Sequence, residues 1–140
     1  MSSVVLVDLL KIGPAKYQAS NASGYSALLD GPPSLGGASE GLRPMELILM
    51  GLAGCTSFDV QSILQKQRLP LSHYKVSAEG TRSDETPAVY TSIVLIFEVN
   101  SEVQLDKLEK AVSLSLEKYC SVAAMLRPGV SITYRVQHKA

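Results

Sequence analysis

Two cysteines, Cys55 and Cys120, are the side chains of this 140-residue sequence best suited to covalent chemistry. Free cysteine is among the most buried residue types and usually packs as a small hydrophobe, so core filling competes with reactivity for each of them. The neighbourhood of Cys55 favours reactivity. Gly51, Ala53 and Gly54 strip side chains from the turn before it, in "RPMELILMGLAGCTSFDV". Glycine inside a helix costs about 1 kcal/mol relative to alanine, so two within four positions point to close approach of another backbone or of a substrate. A nucleophilic cysteine must be a thiolate, which needs a nearby cation, a helix N-terminus or a hydrogen-bond network. Cys55 lies too far inside its helix for the macrodipole to help, because that effect fades within the first turn. Asp59, at i+4, shares its face, and a carboxylate there opposes ionisation of the thiol unless it is paired elsewhere. The activating group must therefore come from elsewhere in the fold or from a partner chain.

The elements that must position these residues follow from pattern. Residues 3–30 alternate short β-leaning runs with turn residues and predict two or three strands of a meander. "DGPPSLGGASEGLRP", residues 30–44, concentrates Gly, Pro and Ser and predicts a mobile loop within one domain. Pro44 is a favourable helix start, and no proline follows until after Arg68, so a long helix is expected. Its first half is apolar on nearly every side and must be surrounded by protein, which a domain of this size rarely achieves alone. "HYKVSAEGTRS" and "AVYTSIVLIFEVN" predict an antiparallel strand pair joined through Asp84 to Pro87. Ser101 and Gln104 read as a capping box for a second helix carrying Leu105, Leu108, Val112, Ser115 and Tyr119 and ending near Cys120. VSITYRV predicts a last strand. The order is β-rich, helix, strand pair, helix, strand, in a single domain spanning residues 1–140.

Composition narrows the function classes. Thirteen basic against thirteen acidic residues, with no block of like charge, argue against nucleic-acid binding. The start MSSVVLVDLLKIG lacks the basic region and cleavage site of an export signal. The apolar run Leu47 to Cys55 is short of the roughly 18 residues needed to span a bilayer, so no membrane role is expected. Two cysteines do not make a disulfide framework, and a reducing, cytoplasmic location is expected.

The residues quoted above resemble the OsmC/Ohr family of organic hydroperoxide reductases. The resemblance is carried by Pro44, Glu46, Leu47, the small-residue run ending in "AGC" and the second cysteine in "KYCSVAAML", and the element order matches over essentially the whole chain. "RPMELILMGLAGCTSFDVQSILQKQR" is closer to the OsmC-like branch than to Ohr itself. This resemblance implies an α+β fold with β-sheet wrapped around a long central helix in an intertwined homodimer. It also implies a thiol-dependent peroxidase, without cofactor, of oxidative and osmotic stress. Cys55 attacks a peroxide, Cys120 condenses with the resulting sulfenic acid, and an external dithiol reduces the disulfide.

The family's peroxidases carry Glu directly after the proline and an N-terminal Arg. Here Met45 follows Pro44, Glu46 comes one residue later, and no arginine precedes Arg43. One residue turns a helix by about 100°, which puts Glu46 nearly opposite Cys55 and some 13 Å along the axis. Glu46 and Arg43 are nonetheless the candidates for supporting the site, with Arg127 as the arginine nearest to Cys120 in sequence. A competing reading is a non-catalytic dimer of the same fold that binds a small apolar ligand. Metal binding by Cys55, Cys120, His73 and His138 has no ligand spacing behind it.

Overall fold

The computed structural model describes residues 2–140, which divide into two compact units with a boundary in sequence between Ile48 and Leu49, inside the long helix. In the first unit, β1 (Val7–Lys11), β2 (Lys16–Asn21) and β3 (Ser26–Asp30) form the expected antiparallel meander, in the order β1-β2-β3. This sheet has almost no core of its own. Val7, Leu9 and Leu10 on β1 are all exposed.

The segment expected to be mobile is instead tied down. Pro33–Leu35 form a 3-10 turn, and the buried Asp30 carboxylate accepts hydrogen bonds from the N–H groups of Ala38 (3.1 Å) and Glu40 (3.0 Å). Backbone bonds from Gly31 to Ala15 and from Leu42 to Leu28 close the loop onto β2 and β3. At Gly37 a β-carbon would collide with the Gly31 carbonyl, so the glycines that read as flexibility serve close approach of backbone to backbone. The Asp30 carboxyl is held below its ordinary pKa, chiefly by the Glu40 N–H.

Helix α1 (Pro44–Lys66) starts at the expected proline. Arg43 is its N-cap, and Glu46, at the third helical position, reaches back to accept the Arg43 N–H at 2.8 Å, which is half of a capping box. Only the stripe Leu52, Thr56, Val60 and Leu64 is buried. Met50 and Phe58 remain exposed, Phe58 by 77%, so this chain by itself does not surround the helix. By length and composition α1 could also cross a membrane, a test that the core helix of a soluble protein passes equally.

In the second unit, β4 (Tyr74–Arg82) and β5 (Tyr90–Val99) are antiparallel, and β6 (Ser131–His138) pairs with β5 in parallel. Ile93, Leu95, Phe97 and Val99 alternate into the core as expected. A register shift at Thr81/Arg82 buries Tyr90 in place of Val89 or Thr91.

Helix α2 (Leu105–Leu114) does not use the expected capping box: its N-cap is Gln104 and has no side-chain cap. Asn100 holds the preceding turn instead. Its side chain accepts from the N–H groups of Ser72 and His73 and donates to the Pro70 carbonyl and the Glu102 carboxylate. After α2 the chain widens into a π-helical turn, Ser115–Tyr119, before the short α3 (Ser121–Leu126).

Candidate thiol site

The two cysteines both belong to the second unit, Cys55 on α1 and Cys120 at the junction of the π turn with α3. That turn decides which residue faces inward. A helix continued from Ser115 would point Tyr119 at the core, as the 3.6-residue period predicted. The extra residue of the π turn moves Tyr119 to the surface, where it is 52% exposed, and brings in Cys120, 2% exposed. The Cys120 N–H accordingly bonds the Ser115 carbonyl, five residues back, at 2.7 Å.

Cys120 takes an extended backbone conformation, caps α3, and accepts the Ala123 N–H on its sulfur at 3.4 Å. The buried Thr56 hydroxyl lies 3.6 Å from the same sulfur and 3.0 Å from the Leu52 carbonyl it bonds. Burial pushes the Cys120 thiol above its ordinary pKa, and the hydrogen-bonding contact with Cys55 pushes it the same way. The Ala123 N–H and Thr56 act in the opposite direction. Cys120 is thus an enclosed thiol whose ionisation burial opposes. Cys55, beside it, is only partly buried, and both sulfurs are reduced.

Asp59, the carboxylate expected to oppose a thiolate at Cys55, accepts the Ser115 hydroxyl at 2.6 Å. Its partner is therefore a hydroxyl. Ser115 is completely buried and Asp59 half-buried, so the bond is partly shielded from solvent. On the same helix, Ser57 donates to the Ala53 carbonyl (2.6 Å) and accepts from the Tyr74 hydroxyl (2.9 Å). Burial raises the Tyr74 pKa to about 12. Beside the Asp59–Ser115 pair runs a groove of about 530 Å³ lined by Asp59, Ile63, Lys66, Leu114 and Tyr119.

The remaining candidates have local partners. Glu46 caps α1, as described, and the Arg43 guanidinium donates to the Ser39 hydroxyl at 3.2 Å. Arg127 lines a separate cavity of about 270 Å³ with Glu117 and Tyr134. Among the described residues no group of three or more His, Cys, Asp or Glu is placed to hold a metal. His73 instead meets Glu98 at 2.7 Å, and His138 meets the Val103 carbonyl at 2.7 Å.

At Gly51 and Gly54 a β-carbon would find no atom within 4 Å. The close approach those glycines predicted is therefore not made by this chain. Sequence reasoning missed Thr56 and Ser115, and the one signal for Ser115 was its five-residue spacing from Cys120.

A family model described as OsmC-like protein matches residues 36–135. Protein YhfA of Escherichia coli strain K12 is 40% identical over 119 residues, covering 84% of this chain and 86% of YhfA. A solved structure of a hypothetical protein from Aquifex aeolicus VF5 is 31% identical, with a TM-score of 0.82 over 99% of this chain and 100% of its own. An organic hydroperoxide resistance protein OsmC from Legionella pneumophila shares the fold at 17% identity, with a TM-score of 0.72 over 96% of this chain and 97% of its own. Matched by the family model over most of its length and by YhfA at 40% identity, this α+β chain belongs to the OsmC-like protein family.

Proposed function

We propose that the protein is a thiol-dependent peroxidase that reduces organic hydroperoxides, and hydrogen peroxide, with Cys55 as the reactive and Cys120 as the resolving cysteine. The observation that carries this reading is the asymmetry in burial of two neighbouring thiols. Cys120 is enclosed, at 2% exposure, while Cys55 is partly open to solvent. A resolving cysteine needs proximity more than reactivity, because its target is the sulfenic acid beside it.

The Cys55 thiolate attacks a peroxide oxygen: an S–O bond forms, the O–O bond breaks, and the alkoxide leaves to be protonated as an alcohol. The Cys120 sulfur then attacks the sulfenic sulfur. An S–S bond forms, the S–O bond breaks, and hydroxide leaves with the Cys120 proton as water. An external dithiol returns both thiols.

A cytoplasmic homodimer is part of this reading. The pairing, though not the location, is supported by the exposed Phe58 and Met50 on α1, the open surface at Gly51 and Gly54, and the exposed apolar side chains of β1. A partner chain there would supply both the missing cover and the missing activating group. An apolar pocket of about 210 Å³ in the first unit, lined by Leu29, Pro32, Leu35 and Leu42, favours the second reading, a non-catalytic dimer that binds a small apolar ligand.

Intact-mass measurement of reduced protein after brief exposure to one equivalent of cumene hydroperoxide separates the two. The peroxidase reading expects rapid loss of two hydrogens in the wild type. Cys120→Ser should give a trapped sulfenic acid, and Cys55→Ser neither product. Thiols that survive the exposure reject it.

A further inference from the structure

Ser115 is bonded to both halves of the thiol site. Its side chain donates to Asp59 at 2.6 Å, one helical turn beyond Cys55 on α1. Its carbonyl accepts the Cys120 N–H at 2.7 Å across the π turn. Its own N–H is bonded back to Ala111 and Val112, which fixes it to the end of α2. Ser115 is fully buried, while Asp59 is half-buried at the edge of the groove, so the serine end of the bond is enclosed. A π turn is a rare single-turn insertion in a helix, and Ser115 is its first residue. Relaxing the turn to a regular α-helix would swing Cys120 by about 100° and return Tyr119 to the inward position.

We infer that the Asp59–Ser115 hydrogen bond is a positioning device for disulfide closure: it holds the π turn on α1 so that the Cys120 sulfur stays against Cys55. Neither residue takes part in the covalent steps. The device acts on the second step only, condensation of Cys120 with an oxidised Cys55. The inference rests on the proposed pairing of the two cysteines, but not on peroxide being the oxidant.

Its test therefore uses oxidised glutathione. Attack by Cys55 breaks the glutathione disulfide and gives a Cys55–glutathione mixed disulfide plus one reduced glutathione. Attack by Cys120 on that adduct forms the Cys55–Cys120 bond and expels the second glutathione. Intact-mass spectra of acid-quenched samples count adduct against closed disulfide. In Ser115→Ala and Asp59→Ala the ratio of adduct to closed form should rise about tenfold or more, since misplacing reacting groups by about 1 Å costs up to 100-fold in rate. Asp59→Asn, whose amide oxygen still accepts from Ser115, should stay near the wild type.

A Val99→Ala control, thinning the core in β5, measures the effect of general destabilisation. Unchanged ratios in Ser115→Ala, or an equal rise in Val99→Ala at matched melting temperature, would overturn the inference. A wild type that never closes with glutathione overturns it as well. Closure with glutathione but not with peroxide rejects the peroxidase reading alone, and the ratios still decide the role of Ser115.

Discussion

Raising the pH through the range where a phenol ionises should destabilise this protein by way of Tyr74. In the folded state burial lifts its pKa from 10.0 to about 12, while its hydroxyl donates to Ser57 at 2.9 Å. The unfolded chain therefore releases this proton first. Because the folded pKa is the higher one, the stabilisation is fully present below pH 10 and is lost as pH rises toward 12. The slope is about 1.4 kcal/mol per pH unit, so the two-unit window removes about 2 to 3 kcal/mol, a large share of the stability of a domain this size. Tyr74→Phe keeps the ring contact with Phe97 and removes the proton. It should cost about 1 kcal/mol at pH 8 for the lost hydrogen bond, and should flatten the loss of stability between pH 10 and 12. Denaturant midpoints at pH 8, 9, 10, 11 and 12 for both proteins provide the assay. If wild type and Tyr74→Phe lose stability in parallel over that window, the reasoning from burial to linkage is wrong.

Three further outcomes follow from the same structure. Iodoacetamide at pH 8 should label Cys55 in the native protein well before Cys120, and both only after unfolding to the same extent; peptide mass mapping over time reads this. Asn100→Ala should destabilise by about 2 to 4 kcal/mol, because it strips partners from the Ser72 and His73 N–H groups and the Pro70 carbonyl near a buried site; urea unfolding measures it. Glu46→Ala should cost about 1 kcal/mol as a lost helix cap, whereas Glu46→Gln, which retains the acceptor, should cost a few tenths in the same titration.

Much of the architecture was legible in local pattern. Pro44 marks the start of α1, alternation from Ile93 to Val99 marks β5, and Gly/Pro punctuation separates the strands of the meander. These signals are local because backbone conformation and side-chain period are set by neighbouring residues. The loop after β3 was misread because glycine gives the same signal whether it supplies freedom or close approach. At Gly37 it is close approach, and the Asp30 carboxylate then fixes the loop. Ser101 and Gln104 had the composition of a capping box, but Asn100 bonds residues 27 and 28 positions away and pulls that turn into another shape.

The sequence by itself determined the element order, the family, and which residues are able to do thiol chemistry, because each of these is written in residue type and short spacing. Only the tertiary structure decided that Cys120 is enclosed while Cys55 stays partly open, that Tyr119 faces out while Cys120 faces in, and that Asp59 accepts the Ser115 hydroxyl. The physical reason lies in the π turn. A single inserted residue rotates everything after it, and its first residue, Ser115, is hydrogen-bonded to a residue 56 positions away, which no period or local spacing encodes.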